Sequence, residues 1–205
     1  MVSVVIVARN EEKHIEACLE ALTYQTTNQP FEVILVSRSD DNTNQIAKQF
    51  IKRLDLRILS QPKPGRGAAR AVGFAAARGD IILSTDGDSQ TPADWVEKLS
   101  TKLELGNAVA ITGTCRIDDC GAWRNWWFNQ LQPLFMRCYK LVQGHYWLTG
   151  SNFGIKRQAY EASGGFDPAV TDVEDIDLGF RVHRLGRIEI ARDCPVLTSG
   201  KRFQA

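Results

Sequence analysis

No stretch of this chain reaches the roughly 18 uninterrupted apolar residues that span a bilayer, and the opening MVSVVIVARNEE has no basic region ahead of a long apolar run. Neither a membrane span nor a signal peptide is expected. An excess of one charge is missing too: 25 Lys and Arg face 24 Asp and Glu, and no block of like charges forms a tail. Nucleic acid is not expected as a partner, because a phosphate backbone selects a concentrated basic surface. Cysteine is sparse, with five residues in 205 and no C-x-x-C pair. An odd, unpaired set argues against a disulfide framework and for reduced thiols in a cytoplasmic protein. Internal repeats and low-complexity segments are absent as well. What remains is a chain 43% hydrophobic and 24% charged, long enough to bury one core without disulfides or metal. A metal bound to it would serve function rather than folding.

Residues 2–7 form a β-branched run, and after Asn10 the apolar positions Ile15, Cys18, Leu19 and Leu22 fall at helical spacing. The unit repeats, with a strand at 31–36 and the cap residues Asp41, Asn42 and Thr43 ahead of a helix burying Ile46, Phe50 and Ile51. A third strand at 56–59, an Ala-rich helix over 68–78 and a fourth strand at 81–83 follow. Thr91, Pro92 and Asp94 read as cap, first-turn proline and first-turn acid of a helix running to Leu105, before a strand at 108–112. Strands alternating with helices predict an α/β domain with a mostly parallel central sheet, since parallel neighbours need crossover connections. After Thr114 the regularity weakens: an aromatic helical region precedes a Gly-rich stretch, a helix over 174–185 and a last strand-like run at 196–198.

In an open α/β sheet, ligands bind outside the carboxyl ends of the strands, which selects a few loops. After the fourth strand stands Asp86-Gly87-Asp88, two carboxylates separated by a glycine that permits a tight turn. Such a pair suits a hard divalent cation shared with a phosphate-bearing substrate, and equally suits an Asp-Gly turn whose carboxylates cap nearby amides. Gly65-Arg66-Gly67 with Arg70 places two guanidiniums at a helix N-terminus, where anions are favoured. A dinucleotide fold fits poorly: the third glycine position is Arg70, and the stretch precedes the fourth strand instead of following the first. No P-loop is present. In Thr171-Asp172-Val173-Glu174-Asp175-Ile176-Asp177, Thr171 and Glu174 form a capping-box pattern that leaves Asp175 available as a proton acceptor.

Five elements in this order and spacing together resemble a family 2 glycosyltransferase of the GT-A fold. They are Val4 to Glu12, Gly65 to Gly79 with Arg70, the D-x-D element Asp86-Gly87-Asp88, Thr149-Gly150-Ser151-Asn152-Phe153, and Gly164-Gly165-Phe166-Asp167 followed by Glu174-Asp175-Ile176-Asp177. The resemblance covers nearly the whole chain. It implies a Rossmann-like three-layer α/β/α domain over 1–205, with a donor half to about 114 and an acceptor half from about 115. It implies transfer of a sugar from a nucleoside-diphosphate sugar to an acceptor hydroxyl on a glycan, a lipid-linked molecule or a small molecule, with inversion. Ala8, Asn10, Glu11 and Ser37 would meet the nucleoside, Arg66 and Arg70 the base or phosphates, and Asp86 the ribose or a metal-bound water. Asp88, with Asp86, would hold Mn²⁺ or Mg²⁺ against the diphosphate, which offsets charge on the leaving group. Asp175 matches the general base, and Asn152 and Glu174 lie on the acceptor side. One departure stands out: where the family has a base-reading aspartate after the second strand, this chain has Ser37, whose hydroxyl cannot supply a charged acceptor.

Two other functions remain beside this one. A noncatalytic nucleotide-sugar or glycan-binding module is motivated by the altered Ser37-Arg38 loop, and a sugar nucleotidyltransferase would need a Gly-rich loop where Ala8-Arg9-Asn10-Glu11 stands. His183 reads as a solvated helix edge, although relatives can place a late histidine on the metal. Cys115 and Cys120 read as core thiols. Residues 123–147 hold four of the five tryptophans with Phe128, Phe135, Tyr139 and Tyr146. Core packing against the sheet is their first reading, an acceptor platform the second, and a membrane-interface face at the inner side of a bilayer the third. The sequence stops at Ala205, soon after its last strand-like run, which reads as a compact or a shortened member of the family.

Overall fold

A computed structural model describes residues 1–170 and 172–201. In chain order the elements are β1 (Val2–Ala8), α1 (Ile15–Thr23), β2 (Phe31–Ser37), α2 (Thr43–Lys48), β3 (Leu56–Ser60), α3 (Arg66–Ala76), β4 (Ile81–Asp86) and β5 (Ser89–Gln90). The second half adds α4 (Trp95–Leu105), β6 (Ala108–Arg116), α5 (Ala122–Gln143), β7 (Phe153–Lys156), α6 (Arg157–Ala162), α7 (Glu174–His183) and β8 (Arg187–Thr198). One sheet in the order β3-β2-β1-β4-β7-β6-β8-β5 carries all of them. The donor side, β3 to β4, is parallel throughout, whereas β7 runs antiparallel to both β4 and β6, and β5 antiparallel to β8.

The apolar runs of β1, β2 and β4 are buried on both faces, which is why they lack alternation. Val2, Val4 and Ile6 of β1 pack with Ile15, Leu19 and Leu22 of α1 and with Trp95 and Leu99 of α4. Val5 and Val7 point the other way, toward Ala69 and Phe74 of α3 and a cluster that includes Leu178 and Val182 of α7. Two cores on one sheet make the three layers.

Several local expectations change. The helix predicted from Thr91 begins at Trp95, because the Thr91 hydroxyl accepts a hydrogen bond from Gln25 Nε2 (3.3 Å) instead of capping. At α2, Asp41 Oδ1 accepts from the Thr43 amide (3.0 Å), and the buried side is Thr43 and Ala47, with Phe50 just beyond the helix and Ile51 exposed. Thr171 of the capping box lies outside the described residues. The Glu174 carboxylate makes an ion pair with Arg70, and among the described residues α7 has no side-chain cap. Core packing of the aromatic segment is corrected: of the 22 residues of α5 only Met136 is buried, although Tyr146 and Leu148 beyond it do enter the core. The predicted end at Lys201-Arg202-Phe203-Gln204-Ala205 is described only as far as Lys201.

Candidate active site

Three strand ends build the site. The ladders pair Ala8 with Ser37 and Val7 with Asp86, so the last residues of β1, β2 and β4 form one row. The chain lays β2 and β3 on one side of β1 and then β4 on the other, and open α/β sheets take ligands outside such a reversal. A cavity of about 350 Å³ opens there, lined by Ala8, Glu11, Arg66, Asp86, Asp88 and Lys201 among others. Gly87 is required for space: a Cβ on it would lie 2.8 Å from the Cβ of Ala8, so only glycine lets the D-x-D turn close against β1.

Three acids of this cavity, Glu11, Asp86 and Asp88, each have a cation beside them. Asp86 Oδ1 accepts from Arg70 Nη2 at 2.6 Å. Arg70 is fully buried, its Nη1 bonded to Glu174 and its Nε 3.4 Å from the Ser84 hydroxyl, so this guanidinium pins β4 to the start of α7. Asp88 Oδ2 lies 3.0 Å from Lys201 Nζ, and the same ammonium donates to Glu11 Oε1. Burial pushes the Glu11 carboxyl above its usual value; the Lys201 hydrogen bond opposes this and the Asp88 charge adds to it. Burial works to lower Lys201, but its bonds to Glu11 and Asp88 outweigh that and raise it. Burial likewise raises Glu174, with Arg70 pulling back.

Asp175 sits at the first turn of α7. Its Oδ2 accepts from the Gly150 amide at 3.0 Å and its Oδ1 from the Ile176 amide at 2.9 Å. A Cβ on Gly150 would come within 2.5 Å of Arg70 Nη2 and 3.2 Å of Asp175 Oδ2, which places the loop before β7, the buried arginine and Asp175 in one packed group. Gly67 serves the same closure: a Cβ there would meet the Val170 carbonyl at 2.3 Å.

Asn10 takes the left-handed conformation (φ 57°), which asparagine tolerates, and ties two loops together. Its Oδ1 accepts from the Asp40 amide (3.0 Å), and its own amide donates to Ser39 Oγ, itself 2.9 Å from Ser37 Oγ. The nearby Asp41 carboxylate is engaged by Thr43 and by the Glu12 amide. Ser37 is buried at the end of β2. Asn152 stands apart from the cavity. Its Oδ1 accepts from Trp95 Nε1 (2.9 Å), and its Nδ2 donates to the Thr114 and Cys194 carbonyls (2.8 and 2.9 Å). His183 is exposed at the far end of α7, stacked 4.4 Å from His145.

The structure thus gathers Ala8, Glu11, Arg66, Asp86 and Asp88 into one cavity, with Arg70, Glu174 and Asp175 adjoining behind it. Sequence reasoning missed Arg9, Asp172 and Lys201, which also line it. Asp172 belonged to the acidic run before α7, a visible signal; Lys201 had none, being 113 positions from Asp88. Burial pushes the Cys115 and Cys194 thiols up to about 12, as befits core cysteines.

This arrangement has known counterparts. The fold superposes on Staphylococcus aureus TarS in complex with UDP-GlcNAc (TM-score 0.76, 17% identity, covering 97% of this chain and 58% of that one). It also matches a mannosyltransferase from Pyrobaculum calidifontis in complex with GDP-Man and Mn²⁺ (TM-score 0.71, 20% identity, 96% and 56%). The domain therefore has the GT-A fold. The chain belongs to glycosyl transferase family 2, whose model matches residues 3–164. Among curated relatives, a probable glycosyltransferase of Bacillus subtilis, YdaM, is 31% identical over 90% of this chain and 47% of its own length. An undecaprenyl-phosphate 4-deoxy-4-formamido-L-arabinose transferase of Pseudomonas fluorescens is 32% identical over 61% of this chain and 38% of its own. The chain spans half or less of these relatives.

Proposed function

We propose that this chain is the catalytic domain of an inverting, metal-dependent glycosyltransferase that moves a sugar from a nucleoside-diphosphate sugar to an acceptor hydroxyl. The carrying observation is the cavity at the β1/β4 reversal, where Glu11, Asp86 and Asp88 face Arg66 at the start of α3. The donor set is all oxygen, with no thiolate or imidazole among Asp86, Asp88 and Glu11, which suits Mn²⁺ or Mg²⁺. Asp86 and Asp88 would hold the cation together with phosphate oxygens of the donor. Asp88 would be the principal ligand, with Asp86 beside it. The bound cation supplies Lewis-acid stabilisation of the departing diphosphate.

The chain's own groups supply the rest. Arg66 and the first-turn amides of α3 offer positive potential to the phosphates. Arg70, through its two carboxylate bonds, is a positioning residue that fixes Asp86. Asp175 is oriented by two backbone amides and takes the proton of the attacking hydroxyl. The acceptor is assigned as lipid-linked, in line with relatives named as undecaprenyl-phosphate and dolichyl-phosphate transferases.

A panel of UDP-, GDP- and dTDP-sugars, each with Mn²⁺ or EDTA, tests this reading. One donor should be hydrolysed or stabilise the fold only with the cation, and Asp88→Asn should abolish the effect. A protein that binds donor but turns over none with any acceptor would be a binding module, and one that consumes nucleoside triphosphates a nucleotidyltransferase.

A further inference from the structure

The helix α5 is built inside out. Asn125, Asn129, Gln132 and Met136 recur at helical spacing on one stripe, and this largely polar stripe faces the protein. Asn125 Oδ1 accepts from the Cys120 amide (3.1 Å), Asn129 holds both the amide and the carbonyl of Ile117 (3.0 and 3.1 Å), and Gln132 Oε1 accepts from the Cys115 amide (3.2 Å). At about 100° per residue, Trp123, Trp127, Leu134 and Leu141 project roughly opposite that stripe. They are 70%, 39%, 49% and 85% exposed. Trp126, Phe135 and Val142 widen the same outward face. Three of these side chains form a cluster, Trp123, Trp126 and Trp127, with ring centroids 5.0 to 6.3 Å apart.

Charge is as one-sided as polarity. Residues 122–143 carry Arg124, Arg137 and Lys140 and no Asp or Glu. Arg124 and Arg137 lie at the margins of the apolar face, where long side chains can reach past a buried ring to a headgroup, while the Lys140 ammonium packs 4.7 Å from the centre of the Tyr146 ring. No helix among the described residues is long and apolar enough to cross a membrane. Yet a surface rich in tryptophan, on a helix whose only charges are positive, is what settles at the boundary between acyl chains and anionic headgroups.

We infer that α5 is a docking face for an anionic lipid bilayer, on which it lies in the plane of the surface with Trp123, Trp126, Trp127, Leu134 and Phe135 inserted. The placement has a consequence for the cavity. The turn before α5 is tied to the segment after β8: Asp119 accepts from the Ser199 hydroxyl (2.8 Å) and the Gly200 amide (2.7 Å), and the next residue, Lys201, reaches Asp88. The tryptophan end of α5 therefore stands at the same end of the sheet as the cavity. This inference does not depend on the donor chemistry.

Vesicle co-sedimentation and tryptophan emission test it, using phosphatidylcholine alone or with a quarter phosphatidylglycerol. The chain should bind the mixed vesicles with a blue shift, and bind phosphatidylcholine and high-salt samples weakly. Reversal of Arg124 and Arg137 to Glu should lower partitioning by about fivefold per site or more. Replacement of Trp123, Trp126 and Phe135 by Ser should abolish the blue shift while circular dichroism and nucleotide binding stay as in the wild type. Equal binding to both vesicle types, or unchanged binding of the variants, overturns the inference. So does a chain that is dimeric in solution and becomes monomeric in the Ser variant, which would make the face an interface between copies.

Discussion

Replacing Arg70 by methionine removes the one guanidinium that joins β4 to α7 and keeps a side chain of similar length in a fully buried position. Two carboxylates lose their bond to Arg70 at once: Glu174, 3% exposed, and Asp86, 18% exposed at the side chain. Breaking a buried pair from one side costs about 3–5 kcal/mol, most of it the penalty of leaving an uncompensated charge, and the share from the wetter Asp86 is smaller. For a domain of this size that corresponds to a fall in Tm of about 6–20 °C. The loss should depend on pH. Burial holds the Glu174 carboxyl above its ordinary value of 4.5, so the folded state binds this proton more tightly than the unfolded state. The resulting stability is full below 4.5 and fades as pH rises through the folded value. Without Arg70 that folded value moves higher still, so R70M should be closer to the wild type at pH 5 than at pH 8. Adding Glu174→Gln should recover a large part of the lost stability. Thermal unfolding of the three proteins at the two pH values decides it. An R70M variant within about 1 kcal/mol of the wild type, or a deficit unchanged by E174Q, would refute a buried charge pair as the link between the halves.

Asp175→Asn should leave donor binding intact and lower transfer by about 10² to 10⁴, read as a fall in kcat with little change in donor KM. Lys201→Ala removes the ammonium shared by Glu11 and Asp88, and the donor-free protein should then bind Mn²⁺ about tenfold more tightly by calorimetry, while Lys201→Arg should not. Asn152→Ala strands the indole N–H of Trp95 and two carbonyls; it should cost about 2–4 kcal/mol in denaturant unfolding and spare acceptor KM well below its Tm, separating a role in the fold from contact with acceptor.

The donor half was readable because its signals are local. Apolar runs such as Val4 to Val7 are buried on both faces, and the residues that end β1 and β4 carry their motif with them. Legibility failed where an element is short or is stabilised from a distance. β7 has only four residues and includes Gly154, and β8 runs through Arg187, Glu189, Arg192, Asp193 and Pro195 before the recognisable apolar end. The aromatic, helical character of α5 was visible but its orientation was not: aromatic residues on a helix normally face a core, and here Asn125, Asn129 and Gln132 take the inner side because Cys115, Ile117 and Cys120 leave backbone groups to satisfy. In the site, the motif residues Ala8, Glu11, Asp86 and Asp88, grouped by the family resemblance, line one cavity. Arg70 and Asn152 belong to the same motifs, yet their polar atoms are engaged by Asp86, Glu174, Trp95, Thr114 and Cys194, partners that only the folded chain reveals.

The central claim is that Asp88 and the cavity around it bind a nucleoside diphosphate through a divalent cation. Calorimetric titration of UDP and GDP into the wild-type chain and Asp88→Asn, each with Mn²⁺ or EDTA, measures this directly. The account predicts saturable one-to-one binding of one nucleotide that requires Mn²⁺ and disappears in the variant. Binding of equal strength in EDTA, or in Asp88→Asn with Mn²⁺, would contradict it.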